Sequence, residues 1–456
     1  MRRFLFLWIG CFCGFVADVW AQPEGLQRLL ESPELRHAAV GISVKSVQDG
    51  RTVAEYAGDK SLQPASVCKL LPTAWALKEK GSAYRYRTRI ITTGKVEDGV
   101  LRGDIVIRPQ GDPCPDSRYF PEYVFLDSLV KIIRQWDIRK IQGSIRVEGG
   151  EEAVLPGSWL WEDISNYYGA GCFPFNYKDN TYYLGFRTGV AGEKAELLSV
   201  EPEQPGVEFV NEVVAGTGNT DDAWIYGGPY SRVMHVTGSL PRNRRLYRVK
   251  GAMHHPVRCF LNELEEKLRQ HRIVVEKEIL PGTEERGLAV FTSPALKEIV
   301  RITNKKSVNL FAEALGKLAA EGDFPARCCS MLQEIGVDTS GILLRDACGL
   351  SALNAVPAVV FSDVLLWAYK ELGWDFVASL PLAGTDAGLN AYLAADPALK
   401  NKLRAKTGSF TGVRCLSGYL TRNNGEVLAF TILVNHFTCP PAQLQKRIGC
   451  FLAGLL

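Results

Sequence analysis

Hydrophobic and polar positions change texture along this chain in a way that marks out its elements. Residues 39–56 alternate apolar and polar side chains around Asp49-Gly50, the pattern of two strands joined by a tight turn. The stretch Pro64-Ala65-Ser66-Val67-Cys68-Lys69-Leu70-Leu71-Pro72-Thr73-Ala74-Trp75-Ala76-Leu77 is apolar on nearly every face and predicts a buried helix. Pro72 has no N–H to offer the Cys68 carbonyl, so a kink or an early break is expected there. From about residue 84 to residue 281, Gly and Pro punctuate many short alternating stretches, such as Leu101-Arg102-Gly103-Asp104-Ile105-Val106-Ile107, which predicts β-rich structure. Helical periodicity returns from about residue 293. The end predicts strands over 415–421 and 427–435, a turn at Asn424-Gly425 and an amphipathic helix around 443–455. The two ends read as one α/β domain interrupted by a long insertion, long enough to bury its own core, so its ends should lie close together.

The first segment is an address. Arg2 and Arg3 precede an apolar run from Phe4 to Val16, too short to cross a bilayer as a helix, and Val19-Trp20-Ala21 offers a cleavage site. Residues 1–21 therefore read as a signal peptide, with no integral membrane span after its removal. Ile9-Gly10-Cys11 weakly resembles a lipoprotein site, although Trp8 fits it poorly. An exported chain of 456 residues, 46% hydrophobic and 23% charged, is a globular protein of two or three domains. Its formal charge of +3 is too small to imply a polyanion, so no nucleic acid partner is expected. Cys11 and Cys13 leave with the signal, and most of the other ten cysteines read as buried thiols that imply no particular disulfide pattern. The six histidines are scattered, with no HExxH and no Cys/His ligand spacing, so no metal or cofactor is expected.

Three short motifs carry chemistry. In Ser66-Val67-Cys68-Lys69, residues three apart share a helix face, so the Lys69 amine can reach the Ser66 hydroxyl and pair a nucleophile with a base. A second S-x-x-K, Ser128-Leu129-Val130-Lys131, reads as a solvated helix face. Ser307-Val308-Asn309 opens a helical run and, taken alone, serves equally well as a helix cap. Lys406-Thr407-Gly408 enters an apolar strand and, taken alone, fits an ordinary edge-strand lysine followed by a bend. There is no G-x-S-x-G elbow to support a Ser-His-Asp hydrolase.

The order of the three motifs, with Ser307 placed 241 residues after Ser66 and Lys406 near the C-terminus, resembles the active-site serine penicillin-recognising enzymes. Within them, the sequence is similar to the class C low-molecular-mass penicillin-binding proteins, the D-Ala-D-Ala carboxypeptidase/endopeptidase family. Gly111-Asp112-Pro113, Trp161 with Asn166-Tyr167-Tyr168-Gly169-Ala170, Asn176-Tyr177, Asp346 with Gly349-Leu350-Ser351, and Leu380-Pro381-Leu382-Ala383-Gly384-Thr385-Asp386 add to the likeness. Cys68, Cys114 and Cys348 depart from the family pattern without removing a catalytic group.

The resemblance implies an α/β transpeptidase-like domain with a central antiparallel sheet, split into 22–91 and 286–456, with accessory domains at 92–165 plus 240–285 and at 166–239. It implies a catalytic set of Ser66, Lys69, Ser307, Asn309 and Lys406, with Thr407, Gly408 and Ser409 binding substrate. In those roles Ser66 attacks a peptide or β-lactam carbonyl and Lys69 takes its proton, kept partly neutral by burial and by a second nearby cation, Lys406. Ser307 relays a proton to the leaving amine, Asn309 binds the substrate amide, Lys406 and Thr407 hold the terminal carboxylate, and the N–H groups of Ser66 and Ser409 form the oxyanion hole. Peptidoglycan stem peptides are the implied partner, β-lactams the implied inhibitors, and the location periplasmic or cell-wall associated. A serine β-lactamase fits the motifs but not the long insertion. A non-catalytic peptidoglycan-binding protein would not need the intact Ser66, Lys69, Ser307 and Lys406. Carboxypeptidase or endopeptidase preference and oligomeric state stay open at this level.

Overall fold

The computed structural model describes residues 24–150, 155–280 and 284–456. The expected signal peptide and the Cys11 site lie outside them. Alternation around Asp49-Gly50 gives the first hairpin: Ala39–Ser46 pairs antiparallel with Thr52–Tyr56, Ile42 opposite Tyr56. Gly50 takes the positive φ of 76° that the turn needs.

Ala39–Ser46 also pairs, on its other edge, with Val427–Asn435, Val44 opposite Phe430. Val413–Thr421 and then Leu403–Phe410 complete a five-stranded antiparallel sheet built from both ends of the chain. The period of two sorts its side chains. Leu428, Phe430, Ile432 and Val434 face one core with helices Glu24–Leu30 and Pro441–Ala453. Ala429 and Leu433 face a second core, shared with helices Leu70–Lys80, Leu296–Lys306, Asn309–Ala320 and Ala358–Glu371.

The buried helix differs from its sequence reading at the start. Ala65–Lys69 is a 3-10 turn, and the α-helix begins only at Leu70. Pro72 thereby falls in the first α-helical turn, where N–H groups have no intrahelical carbonyl to seek. The expected break has become a change of helix type just upstream of the proline.

The chain leaves this domain and returns to it through adjacent strands, Arg87–Thr92 pairing with Arg286–Thr292. These two join Ile105–Arg108 and Ile145–Val147 in a four-stranded sheet. The region is less purely β than the Gly/Pro punctuation suggested. Helices Phe125–Gln135 and Pro256–Gln270 share a core with these strands, around Ile90, Ile107, Phe125, Phe260 and Leu264. Phe125, Leu126, Leu129, Val130 and Ile133 follow the helical repeat that buries one face, and Lys131 is left exposed on the other. A further core around Tyr182, Leu184, Phe186, Ile225 and Val236 lies between Thr181–Thr188, flanked by Glu196–Glu201 and Arg244–Ala252, and the strand pair Trp224–Tyr226 and Val233–Thr237. Seven of the ten described cysteines are buried as free thiols, packing as small hydrophobes.

Candidate active site

Ser66 follows Ala65, whose φ of 47° is left-handed, so the backbone turns sharply just before the 3-10 segment that carries Ser66 and Lys69. Two glycines let neighbouring backbone close on this turn. A Cβ at Gly408 would lie 2.6 Å from the Pro64 carbonyl oxygen and 3.1 Å from the Ser66 nitrogen, and one at Gly349 would lie 2.0 Å from the Ala65 carbonyl oxygen. Lys69 Nζ donates to Ser66 Oγ at 2.9 Å and to the Cys348 carbonyl at 2.6 Å. Its side chain has 0% exposure. That burial lowers the Lys69 ammonium from its ordinary value, against the pull of Asp346 and Glu313.

Ser307 closes helix Leu296–Lys306 in a left-handed conformation, φ 56° and ψ 40°, and Asn309 opens Asn309–Ala320. The S-x-N motif is thus a bend between two helices. It aims Ser307 Oγ at Lys406 Nζ, which donates to it at 2.9 Å and to the Thr407 carbonyl at 2.7 Å. Asn309 Nδ2 donates to the Tyr168 carbonyl at 2.7 Å.

Lys406 is 1% exposed, and burial together with the Lys69 charge lowers it well below its ordinary value. Burial is the first cause at both lysines, and repulsion between the two neighbouring ammonium groups disfavours charging both at once. Ser66, Ser307, Asn309 and Ser409 all line one cleft of about 540 Å³. Thr407 and Gly408 lie on the same edge strand, Leu403–Phe410, as Lys406.

A layer behind the cleft holds the Cys348 carbonyl in place. Glu313 Oε1 accepts from the Ala347 and Cys348 N–H groups at 2.9 and 2.8 Å. Burial and the Asp346 charge push the Glu313 carboxyl up to about 7. Asp346 accepts from Gly349 N–H, Ser351 N–H, Asn354 Nδ2 and Trp159 Nε1, at 2.6–2.8 Å. Glu313, Asp346 and Cys348 stand close enough together to hold an ion, but both carboxylates are taken up by N–H donors and the Lys69 ammonium sits next to Cys348.

Sequence reasoning missed Glu313, although a carboxylate inside the apolar run from Leu310 to Leu315 was a visible signal. It also singled out Trp161, which is 66% exposed, where the buried anchor is Trp159. The Cys348 and Tyr168 acceptors are backbone carbonyls, which leave no trace in residue identity.

A cleft serine paired with a buried lysine and faced by a second Ser–Lys pair, beside the edge of a five-stranded antiparallel sheet flanked by helices, defines the active-site serine class with a transpeptidase-like fold. The chain belongs to the D-Ala-D-Ala carboxypeptidase 3 (S13) family, whose model matches residues 22–453. It is 25% identical over 427 residues to the D-alanyl-D-alanine carboxypeptidase DacB of Haemophilus influenzae, covering 88% of this chain and 86% of the relative. It is 27% identical over 469 residues to the D-alanyl-D-alanine carboxypeptidase of an Actinomadura species, covering 94% and 84%. Among solved structures, penicillin-binding protein 4 of Haemophilus influenzae aligns with a TM-score of 0.77 at 22% identity, over 92% of this chain and 97% of that one.

Proposed function

We propose that this D-Ala-D-Ala carboxypeptidase works through an acyl-enzyme on Ser66, acting on peptidoglycan stem peptides both to remove terminal D-Ala and to cut D-Ala cross-links. β-Lactams acylate the same serine in this reading. The observation that carries it is the 2.9 Å contact between the buried Lys69 amine and Ser66 Oγ, set in a cleft with a second Ser–Lys pair. Neutral Lys69 takes the Ser66 proton as Oγ attacks the carbonyl carbon of the scissile bond. The N–H groups of Ser66 and Ser409 stabilise the oxyanion. Ser307, hydrogen-bonded to Lys406, passes its hydroxyl proton to the departing D-Ala amine and is reprotonated by the one Lys69 took, and water then hydrolyses the Ser66 ester. Lys406 and Thr407 hold the terminal carboxylate, against the backbone of Gly408, and Asn309 holds the substrate amide.

A solved complex of Haemophilus influenzae penicillin-binding protein 4 with a β-lactam, which aligns with a TM-score of 0.72 at 21% identity, is consistent with this reading. The domain division into 22–91 with 286–456, 92–165 with 240–285, and 166–239 belongs to the same proposal. So do removal of residues 1–21 as a signal peptide and a periplasmic or cell-wall location. No helix among the described residues is long and apolar enough to cross a membrane. Incubation with purified muropeptides and mass analysis of the products tests the proposal. Loss of D-Ala from pentapeptides and conversion of cross-linked dimers to monomers are expected, both absent in Ser66→Ala. Unchanged muropeptides would overturn it.

A further inference from the structure

The strand pair Trp224–Tyr226 and Val233–Thr237 turns one face to a core and leaves the other largely open. In Val233-Met234-His235-Val236-Thr237 the period of two sends Met234 and Val236 inward with Ile225, and Val233, His235 and Thr237 outward. Trp224 and Tyr226, opposite Thr237 and His235 in the antiparallel register, share that outward face. A solvated sheet face ordinarily carries polar side chains, yet this one carries two aromatic rings, with Trp224 39% exposed. Trp161, 66% exposed on the one-turn helix Trp161–Ile164, adds a third ring. Its ring centroid lies 4.8 Å from that of Tyr226, with 31° between the planes. A cluster of rings at the surface, packed on one another and not into a core, marks a place where something else lies against them.

Trp161, Tyr226, His235 and Thr237 line an open groove of about 640 Å³ whose walls include the bare backbone of Gly227 and Gly228. The groove continues the cleft that holds Ser66. Trp224, two residues before Tyr226 on the same strand face, lines the cleft, as do Leu160, Glu162 and Asp163 on either side of Trp161. The groove itself is lined by no Asp, Glu, Lys or Arg. Trp161 Nε1, Tyr226 Oη, the His235 imidazole and Thr237 Oγ1 have no hydrogen-bond partner among the described residues. Flat rings interspersed with free polar atoms and no charge suit a sugar, which lays the C–H groups of one face on a ring while hydroxyl and acetamide groups at its rim exchange hydrogen bonds. The glycan strand of peptidoglycan is uncharged wherever its lactyl carboxylates are consumed in amide bonds to stem peptides. A stem peptide that reaches Ser66 is tethered to such a strand, and a groove running on from the cleft is where that strand can lie.

We propose that the groove of Trp161, Tyr226, His235 and Thr237 is a saccharide-binding platform that holds the uncharged glycan strand whose stem peptide occupies the cleft. The identity of the strand rests on the DD-peptidase reading, whereas the fit to a neutral N-acetylated sugar chain rests on the groove alone. Holding the strand and the peptide together makes delivery of the peptide to Ser66 intramolecular, so a glycan-linked peptide is a better substrate than the same peptide free.

Calorimetric titration of the full-length protein with a peptide-free tetramer of β-1,4-linked N-acetylglucosamine tests the platform without turnover. Saturable binding is expected, unchanged at about 0.5 M salt because no charge takes part. In Trp161→Ala it should weaken about threefold to tenfold, the worth of one aromatic stacking contact. No binding by the parent protein, or undiminished affinity in a Trp161→Ala protein that unfolds cooperatively, would overturn the platform. If Trp161→Ala does not fold, Tyr226→Leu takes its place under the same criteria. Self-association that Trp161→Ala abolishes, in place of saccharide binding, would give the face to a second copy of the chain and overturn the proposal. Kinetics supply a second readout. The ratio of kcat/KM for D-Ala release from a glycan-linked pentapeptide to that from the free pentapeptide should exceed one in the parent and fall towards one in Trp161→Ala, and a ratio of one in the parent would overturn the delivery role. D-Ala release without saccharide binding would remove the platform alone. Saccharide binding without D-Ala release would remove the peptidase reading and leave the platform standing.

Discussion

In the proposed mechanism Lys69 has to serve as both cation and base. Its methylenes and amine have 0% exposure, and burial penalises the charged form, so a neutral fraction exists at pH values where a surface lysine is fully protonated. Acylation of Ser66 should therefore rise with pH along a limb centred below the ordinary lysine range. Glu313 modulates that limb from behind, because its ionised carboxyl favours charged Lys69. Glu313→Gln keeps an oxygen for the Ala347 and Cys348 N–H groups but removes the charge. The limb should move to lower pH by roughly one unit, the effect of a charge several ångströms away in a protein interior. Stopped-flow acylation by a chromogenic β-lactam across pH reads this, and an unmoved limb would rule out the electrostatic role. Stability carries the same signature. A carboxyl raised to about 7 stabilises the fold fully below its unfolded pKa and loses that contribution as pH rises through 7, a slope the Gln variant should lack. The Ser66–Lys69 pairing was legible because residues three apart on a helical turn must share a face. Glu313 was not legible, since its effect depends on depth of burial, which spacing does not encode.

At the scale of elements, the three motifs meet because each sits where a regular element starts, ends or runs along an edge. The S-x-x-K occupies a 3-10 turn ahead of Leu70–Lys80, the S-x-N a left-handed bend between two helices, and the K-T-G the edge strand Leu403–Phe410. A helix-cap reading of Ser307 was close to its geometry, and an edge-strand reading of Lys406 described its place in the sheet. What neither could give was convergence, which needs strand pairings between the two ends of the chain. Gly408 is where that convergence is tightest. Gly408→Ala places a methyl group 2.6 Å from the Pro64 carbonyl oxygen, so the strand must move away from Ser66. Displacement of that order should slow acylation by about a hundredfold. The Thr421-side end of the sheet is remote from this contact, so thermal unfolding should shift much less than the rate. A near wild-type acylation rate would mean that the strand and the Ser66 turn need not touch.

For the whole molecule, alternating texture marked the insertion, and paired strands at its base explain how it can leave and return at one place. Its involvement in the candidate site was not legible, because it consists of long-range contacts from loops. Trp159 packs with Ala312, Cys348 and Leu350 and donates to Asp346. The Tyr168 carbonyl receives Asn309, and Cys114, Phe120 and Cys172 lie in the same core as helix Leu70–Lys80. The insertion therefore supports the site as well as enlarging its cleft. Trp159→Phe keeps most of the packing and deletes one donor to buried Asp346, which should cost about 1–3 kcal/mol in thermal or denaturant unfolding and slow acylation at Ser66. Stability and rate both equal to the parent would make the insertion a separate attachment.

The central claim is that Ser66 is the nucleophile, and covalent labelling tests it most directly. The full-length protein is incubated with a β-lactam, quenched and digested, and the peptides are analysed by mass spectrometry. The adduct should appear on the peptide that contains Ser66 and vanish in Ser66→Ala. Label on the peptide that contains Ser128, or no label on a correctly folded protein, would contradict the account.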